Sequence, residues 1–198
     1  MNYDRQVLFI GPSVVGLEKF DTSTLNDYDF VARTNLYLES NNDRCDIIYL
    51  NKFAFNKYLE KNNFQSIEDK IVLVKFDHQK DTLKDILPNT EIVSLQPERS
   101  EFSRQFHLES YSGTSLILYL CNNFKHVYVT GIDFYDSGIG KNAKYIDGYE
   151  AYNQRDTEEH VHNMKKDLLF LSRLLKKKTN ITFLGKTKEI YERLINNA

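Results

Sequence analysis

Val127-Tyr-Val-Thr-Gly-Ile-Asp-Phe-Tyr135 is the stretch on which the fold turns. Its first four residues form a short, β-branched run of the kind that makes a buried strand. Gly131 closes the run, and Asp133 and Tyr135 follow at once. A buried parallel strand delivers such polar residues at its carboxyl end, the edge at which open α/β sheets bind their ligands.

Six further runs share this character: Gln6–Ile10, Phe30–Ala32, Ile47–Leu50, Ile71–Val74, Glu91–Leu95 and Ile181–Leu184, with His126–Thr130 as the strand just described. Between them lie helical patterns, at Asn51–Lys61, Asp81–Leu87, Thr114–Asn123, Glu158–Lys178 and Lys188–Asn196. Strand–helix alternation of this kind predicts an α/β fold: a single Rossmann-like domain over 1–198, its sheet mostly parallel and flanked by helices. The polar stretch 136–157, rich in Gly, Asn, Asp and Tyr, reads as a small lid loop.

Composition sets limits on function. At 198 residues, 41% hydrophobic and 27% charged, the chain is of ordinary globular make-up. A formal net charge of −2 provides no global basic field for nucleic acid. Cys45 and Cys121 sit in apolar contexts and read as two buried, reduced thiols of a cytoplasmic protein. The N-terminus is too polar for a signal peptide, and no apolar run approaches the ~20 residues that span a bilayer. Any membrane contact is therefore expected to be peripheral.

The polar residues that could carry chemistry cluster at strand ends. Gly11-Pro12-Ser13 follows the first strand, where close backbone approach and helix N-terminal amides suit a phosphate or sugar. Gly-Pro also simply ends strands, and no Gly-x-Gly-x-x-Gly is present. Asn35 and Asn51 follow two more strands, and an amide that both donates and accepts suits a base edge or ribose. Each is also a common turn or cap residue. Ser112-Gly113 opens an apolar helix, and Ser and Thr there double as caps. Asp27 and Asp29 match a metal-binding Asp-x-Asp pattern, but they precede a strand and read as a surface turn. His160 and His162 stand between the polar loop and a helix, with no third ligand at zinc spacing. Lys165, Lys166, Arg173, Lys176, Lys177 and Lys178 read most simply as a solvated helix face. Tyrosine hydroxyls and a histidine base suggest a transfer reaction with an anionic leaving group.

Taken in order, these pieces resemble the bacterial lipooligosaccharide sialyltransferases. The matching segments are Gly11-Pro-Ser13, Asp29–Asn35, Tyr49-Leu-Asn51, Ser112-Gly113, Tyr128–Tyr135 and His162 with Asp167. The resemblance runs from about Val7 to Leu184, and the Gly-Ile-Asp-Phe-Tyr piece is its most specific part. A more distant similarity extends to the animal-type sialyltransferases. The resemblance implies a GT-A-type fold and an inverting, metal-independent transfer of sialic acid, or of Kdo or another nonulosonate, from a CMP-sugar to a glycan hydroxyl. It implies no cofactor and no bound metal. Gly11, Pro12, Ser13, Asn35, Asn51, Ser112, Gly113 and Asp133 would contact the donor. Tyr135 and Tyr145, with Tyr149 as the alternative to the latter, would hold the departing phosphate. His162 would be the general base, with His160 behind it. A homo-oligomer is also implied.

The chain departs from that pattern at three points. Ile10 stands where the family has asparagine, and Tyr111 where it has threonine. No residue matches its acceptor-site arginine, since Glu109 lies near that position and Arg99 and Arg104 lie further off. Two other readings remain: a metal-dependent Rossmann enzyme using Asp133 or the Asp27/Asp29 pair, and a nucleotide-binding module without turnover.

Overall fold

The computed structural model describes residues 3–38, 44–134, 136, 145–146 and 164–196. Tyr135, His160, His162, Tyr149 and most of the expected lid lie outside them. All seven expected strands form: β1 (Tyr3–Ile10), β2 (Phe30–Thr34), β3 (Ile47–Leu50), β4 (Ile71–Val74), β5 (Ile92–Ser94), β6 (Phe124–Thr130) and β7 (Ile181–Phe183). They make one sheet in the order β5-β4-β3-β2-β1-β6-β7. Every neighbouring pair is parallel, so the sheet is wholly parallel among the described residues.

Both faces of the sheet are covered, which is why its strands read as continuous apolar runs. Ile47 and Tyr49 of β3 face one core with Val7, Phe9 and Leu73. Ile48 and Leu50 face a second core with Val72 and Val74. The first core is closed by α4 (Gln96–Phe106), α5 (Ser112–Asn123) and α6 (Met164–Lys177). The second is closed by α2 (Lys52–Lys61) and α3 (Asp77–Ile86). A smaller third cluster puts Leu8, Ile10 and Val31 against Leu17 of α1 (Val14–Leu17) and Phe20. The last helix, α7 (Gly185–Asn196), packs against α1 and β6. No helix among the described residues is long and apolar enough to cross a membrane.

Several helix boundaries differ from the expected ones. Asn51 is the cap of α2 rather than its first residue, accepting from the Phe53 and Ala54 amides at 3.0 and 2.9 Å. Helix α3 starts at Asp77, because the Gln79 side chain accepts the Phe76 amide at 3.1 Å. Helix α4 was not expected at all: in Gln96–Phe106 only Phe102 and Phe106 are large and apolar, too few to show a helical period, and both pack onto Phe170 of α6. Cys45 and Cys121 are free and buried, and burial pushes both thiols up to about 12, so neither is a ready nucleophile.

Strand order fixes where a ligand can enter. From β1 the chain steps through β2, β3, β4 and β5 on one side, then returns to β6 and β7 on the other. The order therefore reverses between β1 and β6, and a crevice opens at the carboxyl ends of strands at such a point.

Candidate functional site

The turns after β1 and β6 meet at this reversal and are built on glycine. Gly131 has φ of +71°, and a Cβ there would lie 2.4 Å from the Gly11 carbonyl oxygen. A Cβ on Gly11 would reach the Gly131 oxygen at the same 2.4 Å. Hydrogen bonds lock the two turns together. The Gly11 amide donates to the Thr130 carbonyl at 2.8 Å, and the Ser13 amide to the Gly131 carbonyl at 2.9 Å. Ile132 is the common neighbour of these turns. Its side chain lies 3.8 Å from where a Gly113 Cβ would stand, which brings the α5 N-terminus to the same crevice.

Thr187 of α7 braces this junction, and nothing in the sequence singled it out. It is fully buried; its hydroxyl accepts the Ile132 amide at 3.0 Å and donates to the Gly16 carbonyl at 3.2 Å. The Gly131 amide converges on the same carbonyl at 3.2 Å. Thr187→Val keeps the shape and removes both bonds. It is expected to cost about 1–3 kcal/mol, measured by urea unfolding, because the Ile132 amide is left without its acceptor.

The strand-end residues named from sequence do gather at this edge, although their side-chain oxygens serve the scaffold. Ser13 is 1% exposed, and its Oγ accepts the Gly16 amide at 3.1 Å as the α1 cap. Asn35 takes a left-handed φ of 57°, and its Oδ1 accepts the Asn51 amide at 2.9 Å. Asn35 and Asn51 are thus tied to each other. Asn51 Oδ1 is taken up by two backbone amides, at 3.0 and 2.9 Å. Asp133 is buried just beyond Ile132. Tyr145, of the expected lid, pairs with Ser13 in an antiparallel bridge, and the Ile146 amide donates to the Pro12 carbonyl at 2.9 Å. The structure therefore brings Gly11, Pro12, Ser13, Asn35, Asn51, Ser112, Gly113, Asp133 and Tyr145 to the carboxyl edge.

The α5 N-terminus is capped differently from the expectation. Its cap residue is Tyr111, and neither Ser112 nor Thr114 caps it. Instead Asp167, reaching across from α6, accepts the Tyr111 amide at 3.1 Å. A carboxylate there is favoured by the positive end of the helix. Arg99 of α4 also reaches this turn. It donates to Glu109 Oε2 at 2.7 Å and to the Ser110 carbonyl at 3.3 Å, and Lys75 at the end of β4 meets the same Glu109 oxygen at 2.7 Å. Lys75 was missed, although it follows a strand as the other candidates do; Arg99 was noted only as too distant in sequence, because its helix was not expected. Ile10, where the resemblance led one to expect asparagine, points away into the apolar cluster with Leu8 and Val31.

Burial raises the Asp167 carboxyl to about 7, against the neighbouring Thr114 hydroxyl, the Tyr111 amide and the Arg99 charge, which lower it. A carboxyl near ~3.9 when unfolded and about 7 when folded binds more protons in the native state between those values. Stability therefore falls as pH rises from about 4 to about 7 and levels off above. Asp167→Asn is expected to remove that slope, read as thermal midpoint against pH.

Asp27 and Asp29 lie before β2, at the opposite edge of the sheet from Gly11 and Gly131. Both are exposed, and Asp29 accepts the Gln6 amide at 2.7 Å, so the surface-turn reading holds. Among the described residues no group of three or more His, Cys, Asp or Glu is placed to hold a metal ion.

No family model and no curated sequence matches the chain. The fold, however, is shared with solved enzymes. A mammalian sialyltransferase crystallised with Gal-beta-1-3GalNAc-ortho-nitrophenol superposes with a TM-score of 0.55 at 12% identity, over 91% of this chain and 69% of that one. A second mammalian sialyltransferase structure gives 0.54 at 11% identity, over 91% and 68%. The chain thus has the Rossmann-like α/β fold of the sialyltransferases.

Proposed function

We propose that this protein is a CMP-sugar-dependent glycosyltransferase of sialyltransferase type. The observation that supports the proposal is that Gly11–Ser13, Asn35, Asn51, Ser112-Gly113 and Asp133 all lie at the carboxyl edge of the sheet, on a fold shared with sialyltransferases. In the proposed reaction the donor lies across the β1–β6 reversal, with its phosphate toward the α5 N-terminal amides. An acceptor glycan hydroxyl attacks the anomeric carbon as CMP departs, with inversion and without a metal. His162 takes the hydroxyl proton. Tyr135 and Tyr145 donate to the phosphate as its negative charge grows, so they bind the transition state more strongly than the ground state. The Ser13–Tyr145 bridge supports this pairing of lid and donor turn. The donor sugar is sialic acid or a related nonulosonate such as Kdo, and the lipooligosaccharide-type acceptor follows the resemblance. A homo-oligomer in the cytoplasm, touching the membrane peripherally, completes the proposal.

Incubation with CMP-sialic acid and CMP-Kdo over a glycan panel tests the activity; transfer to no acceptor, with no CMP released, counts against it. Gly113→Ala tests the site. The added methyl meets only Ile132 at 3.8 Å, and alanine is the better helix residue, so stability is expected to hold or rise slightly. CMP affinity is expected to fall about tenfold, because the methyl crowds the amides that would approach the phosphate. Unchanged affinity would remove Gly113 from the donor site.

A further inference from the structure

Helix α6 sorts its residues sharply by face. Asp167, Leu168, Phe170, Leu171 and Leu174 are buried. Lys165, Leu169, Arg173, Lys176 and Lys177 are exposed, and they succeed one another at helical spacing, so they share one face. Leu169, 44% exposed, stands among the cations, and the helix's single carboxylate, Asp167, lies on the buried side. A solvated helix face of mixed charge looks different, as α7 shows. There Lys186 pairs with Glu189 at 3.1 Å, Lys188 with Glu192 at 3.9 Å, and Arg193 with Asp136. Among the described residues no salt bridge reaches Lys165, Arg173, Lys176 or Lys177. Arg173 lies 5.8 Å over the Phe106 ring, and Lys176 and Lys177 stand within one turn of it. Like charges at that spacing repel and weaken a helix. The whole chain has a net charge of −2, so this positive field is local.

We propose that the exposed face of α6 is a docking surface for an anionic lipid bilayer. Charge complementarity selects an anionic partner, and Leu169 selects a bilayer over a soluble polyanion. Ammonium and guanidinium groups meet the lipid phosphates while an apolar side chain in their midst enters the acyl boundary. The fold sets this face beside the crevice. Strands β6 and β7 are parallel, so α6, which joins them, runs back against them and starts at the carboxyl edge. Asp167, in its first turn, accepts the Tyr111 amide at the α5 N-terminus. The inference names the surface for the peripheral membrane contact proposed above. Its use rests on the proposed function, since a bilayer on α6 would hold the crevice near a glycan acceptor anchored in that bilayer. The binding itself does not depend on that reading.

Sedimentation with vesicles tests the surface. The protein is expected to pellet with vesicles of equal parts phosphatidylcholine and phosphatidylglycerol, and to stay in solution with phosphatidylcholine alone. Raised salt should release it, because exposed charges are screened. Each cation near an anionic surface contributes about fivefold in affinity, so the combined change Lys165→Gln, Arg173→Gln and Lys176→Gln is expected to weaken binding about a hundredfold. Leu169→Ser keeps the charge and should weaken it several-fold. The combined change Lys19→Gln, Lys186→Gln and Lys188→Gln removes the same net charge from cations that are already paired, and should leave binding within about twofold of wild type. Thermal midpoints confirm folding, and the α6 triple variant should melt no lower than wild type, since it loses like-charge repulsion. Its CMP-induced shift should equal that of wild type, which separates the surface from the donor site. A wild type that ignores the mixed vesicles, or an α6 triple variant that binds them as well as wild type, overturns the docking surface and leaves the donor reading standing. Equal losses in the two triple variants overturn it as well, as does retention on heparin without vesicle binding, which would assign the face to a soluble polyanion. Vesicle binding without any CMP shift upholds the surface and counts against the transferase reading.

Discussion

Gly131→Ala is expected to destabilise the protein by on the order of 4 kcal/mol or more and to lower its thermal midpoint by about 10 °C. Two costs add at this position. The φ of +71° disfavours any side chain, and the new Cβ would stand 2.4 Å from the Gly11 oxygen and 2.9 Å from the Gly11 nitrogen. Those are backbone atoms. Moving them breaks the Gly11–Thr130 and Ser13–Gly131 hydrogen bonds that join the two sides of the crevice. Gly185 provides the control. It too has positive φ, at +49°, but the nearest atom to its added Cβ is 3.4 Å away, so Gly185→Ala should cost only about 1 kcal/mol. Urea unfolding of both variants measures the difference. A Gly131→Ala protein within 1 kcal/mol of wild type would contradict the close approach of the β1 and β6 turns.

His162→Ala is expected to reduce turnover by about 10²–10⁴-fold under the proposed function, the range over which a positioned base contributes. The acceptor hydroxyl must lose its proton as it attacks, and a neutral imidazole is the side chain suited to take it near neutral pH. His160→Ala is the companion measurement and is expected to leave turnover within a few-fold of wild type. Transfer intact in His162→Ala but abolished in His160→Ala would move the base to His160.

The sheet was readable in the sequence because its physics is local. Alternate residues of Ile47–Leu50 face opposite cores, so a fully covered strand shows as an unbroken apolar run that a short window reveals. The site was readable to the extent that it is made of strand ends. Gly11, Asn35, Asn51 and Asp133 each follow a strand, and a parallel sheet sends all such residues to one edge. What escaped were the residues that arrive from elsewhere. Thr187 reaches the crevice from α7, and the contacts of Asp167 with Tyr111 and of Arg99 with Glu109, though both residues were noted in the sequence, are tertiary ones that leave no mark in sequence spacing. Helix α4 itself was hidden because a mostly polar segment with two phenylalanines has no evident period. Ser112 shows the opposite error: its type suggested a cap, but a carboxylate from another helix took over that task. The cap and turn roles that residue type allowed for the asparagines are the ones the fold uses, since Ser13, Asn35 and Asn51 each commit an oxygen to backbone amides.

The central claim is that the crevice between β1 and β6 binds a CMP-sugar. Thermal stabilisation by CMP, set beside UDP and GDP, with EDTA and with added Mn²⁺, tests it most directly. A ligand that binds the native state at 100 times its Kd adds about 2.7 kcal/mol, several degrees for a chain of this size. The account predicts that shift for CMP, unaffected by EDTA, and none for the two diphosphates. Stabilisation only by UDP or GDP, and only with metal, would contradict it and transfer the chemistry to the aspartates.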